Sequence, residues 1–226
     1  VLNKKQKVMK KILLALAIAI FTPNMGKSQQ TFSAEENDTA SLSQEEIEEK
    51  IAAELRKDQV LSIANVDFGT SYKEAERKLK RKFGEPSFLS LKNELLFKNV
   101  KYGGLDFNSV FFMFQSDGNN SFLNSCIFVR EARDYAKALE IEQEYTDILS
   151  RKYKNIGSEV DQNGNPFHFC GSSPLWDGTR QGFYNTGAAI RTSIMKFDEN
   201  IVEETKCSPY AVRLIYGPFN YVKEEF

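Results

Sequence analysis

Polar and apolar positions alternate along this chain in several distinct textures, and each texture predicts an element. "GTSYKEAERKLKRKFGEP" has Tyr72, Ala75, Leu79 and Phe83 on one stripe at helical spacing, with charge elsewhere. Ser71 with Glu74 three residues on matches a capping box, and Gly84 followed by Pro86 is a stop signal, so a helix over about 72–83 is predicted. A longer helix is predicted from about Glu131 to Tyr153, with Tyr135, Leu139, Tyr145, Leu149 and Tyr153 among its apolar positions. "SQEEIEEKIAAELRKD" repeats Ile47, Ile51 and Leu55 every fourth residue behind a Ser43/Glu46 capping box, which predicts an acidic surface helix.

Between these helices the period shortens to that of strands. "LLFKNVKYGGLDF" reads as two strands around Gly103-Gly104, and "SFLNSCIFVR" as a third after the Asp117–Asn120 turn. Val110-Phe111-Phe112-Met113-Phe114 is apolar on both faces, as a central strand covered on both sides requires. "PFHFCG", "AAIRTSIMKF" and "YAVRLIYG" supply further strands. The pattern predicts an α+β fold, an antiparallel sheet with helices packed on one face. "KLKRKFGE" and "ILSRKYKN" share apolar-x-Arg-Lys-aromatic and each precedes three strand-like runs. Two tandem α-β-β-β units, 61–130 and 131–226, would account for this.

The N-terminus has a different character. Lys4, Lys5, Lys7, Lys10 and Lys11 precede Ile12–Phe21, an unbroken apolar run of ten. Ten residues rise about 15 Å as a helix, half of a bilayer core of about 30 Å. The layout is that of a secretory signal peptide over residues 1–28, with Gly26 and Ser28 as small residues before cleavage. The polar, acidic residues 29–42 read as a flexible leader and 43–226 as the folded domain. The expected location is periplasmic or secreted, and no later apolar run is long enough for a membrane span.

Charge then removes one class of partner. Residues 1–28 carry six lysines and no acid, which leaves 24 basic and 31 acidic residues beyond them, a net charge of −7. Without a clustered basic stripe, nucleic acid is not an expected partner.

Candidate chemistry concentrates in "NPFHFCGSSPLW", which holds the only histidine (His168), the only tryptophan (Trp176) and one of three cysteines. His168 and Cys170 are two apart, so on a strand they share a face, and a thiol–imidazole nucleophile is conceivable. In an oxidising compartment a disulfide is the stronger expectation. Cys170 and Cys207 both border turns, whereas Cys126 lies in a buried strand, so Cys170–Cys207 is the expected pair; unpaired structural thiols are the alternative. One histidine with no cysteine pair offers no zinc spacing, and "SDGNN" and "DQNGN" do not match a calcium loop, so neither metal nor cofactor is expected. No nucleophile elbow and no phosphate loop with its lysine occurs. Trp176, Arg180, Phe183 and Tyr184 lie in one long turn-like segment with the composition of a binding hot spot. Either that segment presents them to a partner or Trp176 folds back onto the sheet.

One resemblance bears on function. Gly69-Thr70-Ser71, a helix, Phe83-Gly84-Glu85-Pro86 and a hairpin resemble small envelope domains of the outer-membrane assembly lipoprotein type and the tandem repeats of beta-lactamase inhibitory proteins. The likeness spans residues 66–130. No cysteine follows the apolar run, which departs from the lipoprotein pattern. The resemblance implies protein binding in the cell envelope and transfers no catalytic residue. The expected function is therefore a non-enzymatic binding module whose partner is another envelope protein or a ligand that the sequence does not identify. The alternative is a secreted hydrolase using paired carboxylates or Cys170 with His168.

Overall fold

The computed structural model describes Glu46, Glu49, Lys50, Ala53 and residues 57–116, 118–154, 156–173 and 188–219. The expected signal peptide and leader lie outside the described residues, as do Ser43, Ile47, Ile51 and Leu55. Glu46, Glu49, Lys50, Ala53 and Lys57 are helical.

The first hairpin is tight: β1 (Ser62–Ile63) and β2 (Val66–Asp67) pair around Ala64 and Asn65, both at positive φ, as a type I′-like connection demands. Helix α1 (Tyr72–Phe83) follows, burying Ala75 and Leu79, with Tyr72 and Phe83 packed at its edges. Gly84 stops it at φ 83°. The expected capping box does not form. Ser71 makes no side-chain cap bond and bridges to Phe122, while Glu74 pairs with Lys78 at 2.9 Å. The Ser71 carbonyl still accepts the Ala75 N–H at 2.9 Å, so the main chain opens the helix without the hydroxyl.

Three strands then form a meander, β3 (Glu94–Tyr102), β4 (Leu105–Ser116) and β5 (Ser121–Ala132). Helix α2 (Tyr135–Ser150) starts four residues later than the pattern predicts, because Glu131 and Ala132 still pair with Ala211 and Tyr210 of the last strand. Asp134 caps it, Oδ1 accepting from the Lys137 N–H at 2.8 Å. The second half runs β6 (Gly157–Val160), β7 (Pro166–Ser172), β8 (Ala188–Lys196), α3 (Glu199–Thr205) and β9 (Tyr210–Tyr216). It is therefore not a plain α-β-β-β unit. Strand β6 and helix α3 are additions to the three strand-like runs that the pattern predicts. Asp161 makes the β6–β7 turn, its Oδ1 accepting from Asn163 N–H and Asn165 N–H.

All but β1 and β2 join one antiparallel sheet in the order β3-β4-β5-β9-β8-β7-β6. The two long helices pack on one face, over a cluster that includes Leu79, Phe97, Phe112, Phe128, Tyr145 and Val212. Leu96, Phe111, Ile127, Phe197 and Ile215 form a second cluster on the other face, where Leu89 and the α3 residues Ile201 and Val202 cover it. Strand β4 thus buries both faces, as its apolar run requires. The phenylalanines interlock: Phe83 lies 5.5 Å from Phe97 and 6.0 Å from Phe112, and Phe107 lies 4.8 Å from Phe128. Among the described residues no helix is long and apolar enough to cross a membrane.

One acid is buried at the rim of the second cluster. Glu94 is 3% exposed, its Oε1 has no hydrogen-bond partner among the described residues, and burial raises its pKa against a single backbone bond from Leu91. The unfolded chain ionises this group at a lower pH than the folded one, so folding bears a cost above the raised pKa. That cost vanishes as pH falls to the unfolded value of about 4.3. Glu94→Gln should therefore stabilise by about 1 kcal/mol at pH 7, with the gain gone near pH 4, in urea unfolding at both pH values.

Candidate functional site

Strand parity sends His168 and Cys170 of β7 toward the helix-bearing face, where α2 crosses. Glu142, on the buried side of α2 with Ala138, Ile141, Tyr145 and Leu149, is 2% exposed. His168 Nδ1 lies 2.7 Å from its Oε1. The Thr192 hydroxyl of β8 donates to the same oxygen at 2.6 Å, and Thr146, one turn along α2, donates at 3.2 Å. The Thr192 hydroxyl also accepts the His168 backbone N–H at 2.8 Å. A closed circuit results, joining one helix and two strands through a single carboxylate oxygen.

The circuit has definite chemical consequences. Oε1 accepts at the imidazole Nδ1, which orients the ring, and among the described residues no hydrogen bond to Nε2 is seen. The histidine side chain is 18% exposed against 3% for Glu142, so the ring is the part of the network nearest solvent. An oriented imidazole can accept or relay a proton at Nε2, but nucleophilic catalysis also needs a partner hydroxyl or thiol within reach. Cys170 does not fill that role. It is 3% exposed within the helix-face core, and burial pushes its thiol up to about 12, so no useful thiolate forms near neutrality.

The expected Cys170–Cys207 disulfide is not present, and all three cysteines are free thiols. The reason is strand parity. Cys170 belongs to the helix-face cluster, whereas Cys207, after α3, packs against the cluster on the opposite face of the same sheet. Both border turns, but the sheet stands between them. Cys126 is fully buried, as its strand context predicts.

Trp176, Arg180, Phe183 and Tyr184 lie outside the described residues. Their two anchoring strands do not: Ser172 and Ala188 are Cα partners at the root of the β7–β8 connection. That root is tied down by Ser172 N–H to the Asp58 carbonyl at 2.9 Å and Val60 N–H to the Ser172 carbonyl at 3.0 Å. Gly171 is required there, since at φ 70° an added Cβ would lie 2.8 Å from Val60 Cγ2.

Sequence reasoning missed Glu142 and Thr192, although one signal was present. Position 142 falls on the stripe Ala138–Glu142–Tyr145–Leu149, where a carboxylate demands a buried partner. Among the described residues no group of three or more metal-ligating side chains converges. The concavities there include one lined by Ala64, Asn65, Lys78, Arg81 and Lys82 and another lined by Lys196 to Glu199. Neither lies beside His168. No protein-family model matches the chain, and comparison with curated proteins gives no match.

Glu142→Ala removes the acceptor shared by three donors at a buried position and should cost about 3 kcal/mol in urea unfolding, whereas Glu142→Gln keeps an acceptor and should cost about 1 kcal/mol. Equal losses for the two variants would show that packing, and not the hydrogen bonds, is what Glu142 contributes.

Proposed function

We propose that the chain is an exported, non-enzymatic binding module of the cell envelope, engaging another envelope protein through the β7–β8 connection. The observation that carries this reading is the root of that connection. Ser172 and Ala188 pair directly, as in a tight hairpin, yet residues 173–187 intervene where about two to five residues would close the turn. Long insertions on a fixed root are where recognition residues concentrate. This one holds the chain's only tryptophan with Arg180, Phe183 and Tyr184, the residue types that dominate binding hot spots. The sheet and the Asp58–Val60 segment give the insertion a rigid base. The basic, apolar N-terminal pattern supports export, and the resemblance over residues 66–130 supports the envelope setting.

The test uses the exported chain in its own cells, with a photo-crosslinking amino acid at Tyr184. Trp176→Ala should lower crosslinked partner by about tenfold while thermal unfolding is unchanged. Undiminished crosslinking with the fold intact would remove this connection from the binding function.

A further inference from the structure

The outer side of α1 carries charge against the balance of the chain. Residues 73–82 hold six bases and two acids, whereas the chain beyond residue 28 is net acidic. Burial of Ala75 and Leu79 turns these bases outward, and the helix dipole favours Lys80, Arg81 and Lys82 in the last turn. The dipole does not explain how their charges are matched. Lys80 meets two acids, Glu76 at 3.2 Å and Glu85 at 3.1 Å, and Lys78 meets Glu74 at 2.9 Å. Arg81 and Lys82 are exposed, and among the described residues no carboxylate pairs with either.

These two side chains, with Lys78, Ala64 and Asn65, line a concavity of about 370 Å³ between α1 and the β1–β2 turn. Tyr102 ties its two walls together. The Tyr102 hydroxyl accepts the Ala64 N–H at 3.2 Å, which pins the turn. Lys82 Nζ lies 4.8 Å from the centroid of the same ring, which places the end of the helix. The ring in turn stacks at 5.1 Å on Phe128, a residue of the helix-face core. The turn and the helix end therefore share one support, and the concavity between them is part of the fold.

We propose that this concavity binds an acidic segment of a partner protein, with Arg81 and Lys82 taking its carboxylates. The Arg81 guanidinium fork matches a carboxylate, Lys82 adds a point charge, and the Asn65 carboxamide in the lining is a further donor. Other polyanions fit less well. A bilayer surface calls for apolar side chains beside the cations, yet none of the exposed Leu61, Phe88, Tyr135 and Val160 lines the concavity. Two unmatched cations also fall short of the run of phosphate contacts that nucleic-acid binding draws on. This surface is distinct from the β7–β8 connection, and either can fail without the other.

Fluorescence anisotropy of labelled hexaglutamate, titrated with the full chain, tests the assignment. Hexaglutamate should bind, hexaglutamine should not, and raising salt from about 0.05 to about 0.3 M should weaken binding severalfold. Arg81→Glu should weaken hexaglutamate by about tenfold. Lys137→Glu, the same change of charge on α2, should alter it by less than about twofold. An acid in the last turn of a helix opposes its dipole, so Arg81→Gln with Lys82→Gln repeats the test without reversing charge. Thermal unfolding of each variant confirms that it is folded. Failure of hexaglutamate to bind, an equal loss in Lys137→Glu, unaltered binding in folded Arg81 variants, or tighter binding of phosphatidylglycerol vesicles or inorganic phosphate would each overturn the proposal.

Discussion

The seam between β5 and β9 holds the rest of the molecule in place. Their pairing runs from Cys126↔Tyr216 to Ala132↔Tyr210 and joins β3-β4-β5 to β9-β8-β7-β6 as one sheet. These strands are far apart in sequence, so their pairing closes a long loop and must be repaid by burial. The repayment is visible on both faces. Phe128, Val212 and Leu214 meet in the helix-face core, Phe128 and Tyr216 approach to 6.0 Å, and Ile127 and Ile215 pair on the other side. Helix α2 lies over this seam, in contact with β5, β9, β8 and β7.

The two polar clusters follow from that arrangement. Glu142 reaches His168 and Thr192 only because α2 is laid across the second set of strands, and it then ties the helix to them by directional bonds that apolar packing lacks. Arg191 and Arg213 become neighbours only because β8 and β9 are adjacent with parity that puts both on the far face. The satisfied Glu142 network holds helix and strands together by bonds whose geometry apolar packing cannot supply.

Local pattern made much of this legible. The stripe Tyr72, Ala75, Leu79, Phe83 with Gly84 defined α1, Gly103-Gly104 located a hairpin, and the doubly apolar run in β4 marked a central strand. What stayed hidden depended on sequence-distant geometry or weak local signals. Strand β6 is the short "GSEV", with no apolar alternation to mark it. Helix α3 has Ile201 and Val202 as its apolar packing residues among acids, so it resembled a turn. The cysteine pairing failed because turn proximity says nothing about which face of a sheet a side chain occupies. Glu142, Arg191 and Arg213 each sit as a charge among apolar positions, a signal that identifies buried polar sites but not their partners.

Native-state hydrogen exchange along the seam tests most directly whether the two halves are one cooperative sheet. Continuity predicts that the Phe128 and Leu214 amides exchange only by global unfolding, with equal free energies and equal dependence on denaturant. If β9 amides open at a markedly lower free energy than those of β5, the halves unfold separately and the single-sheet scaffold beneath both polar clusters is wrong.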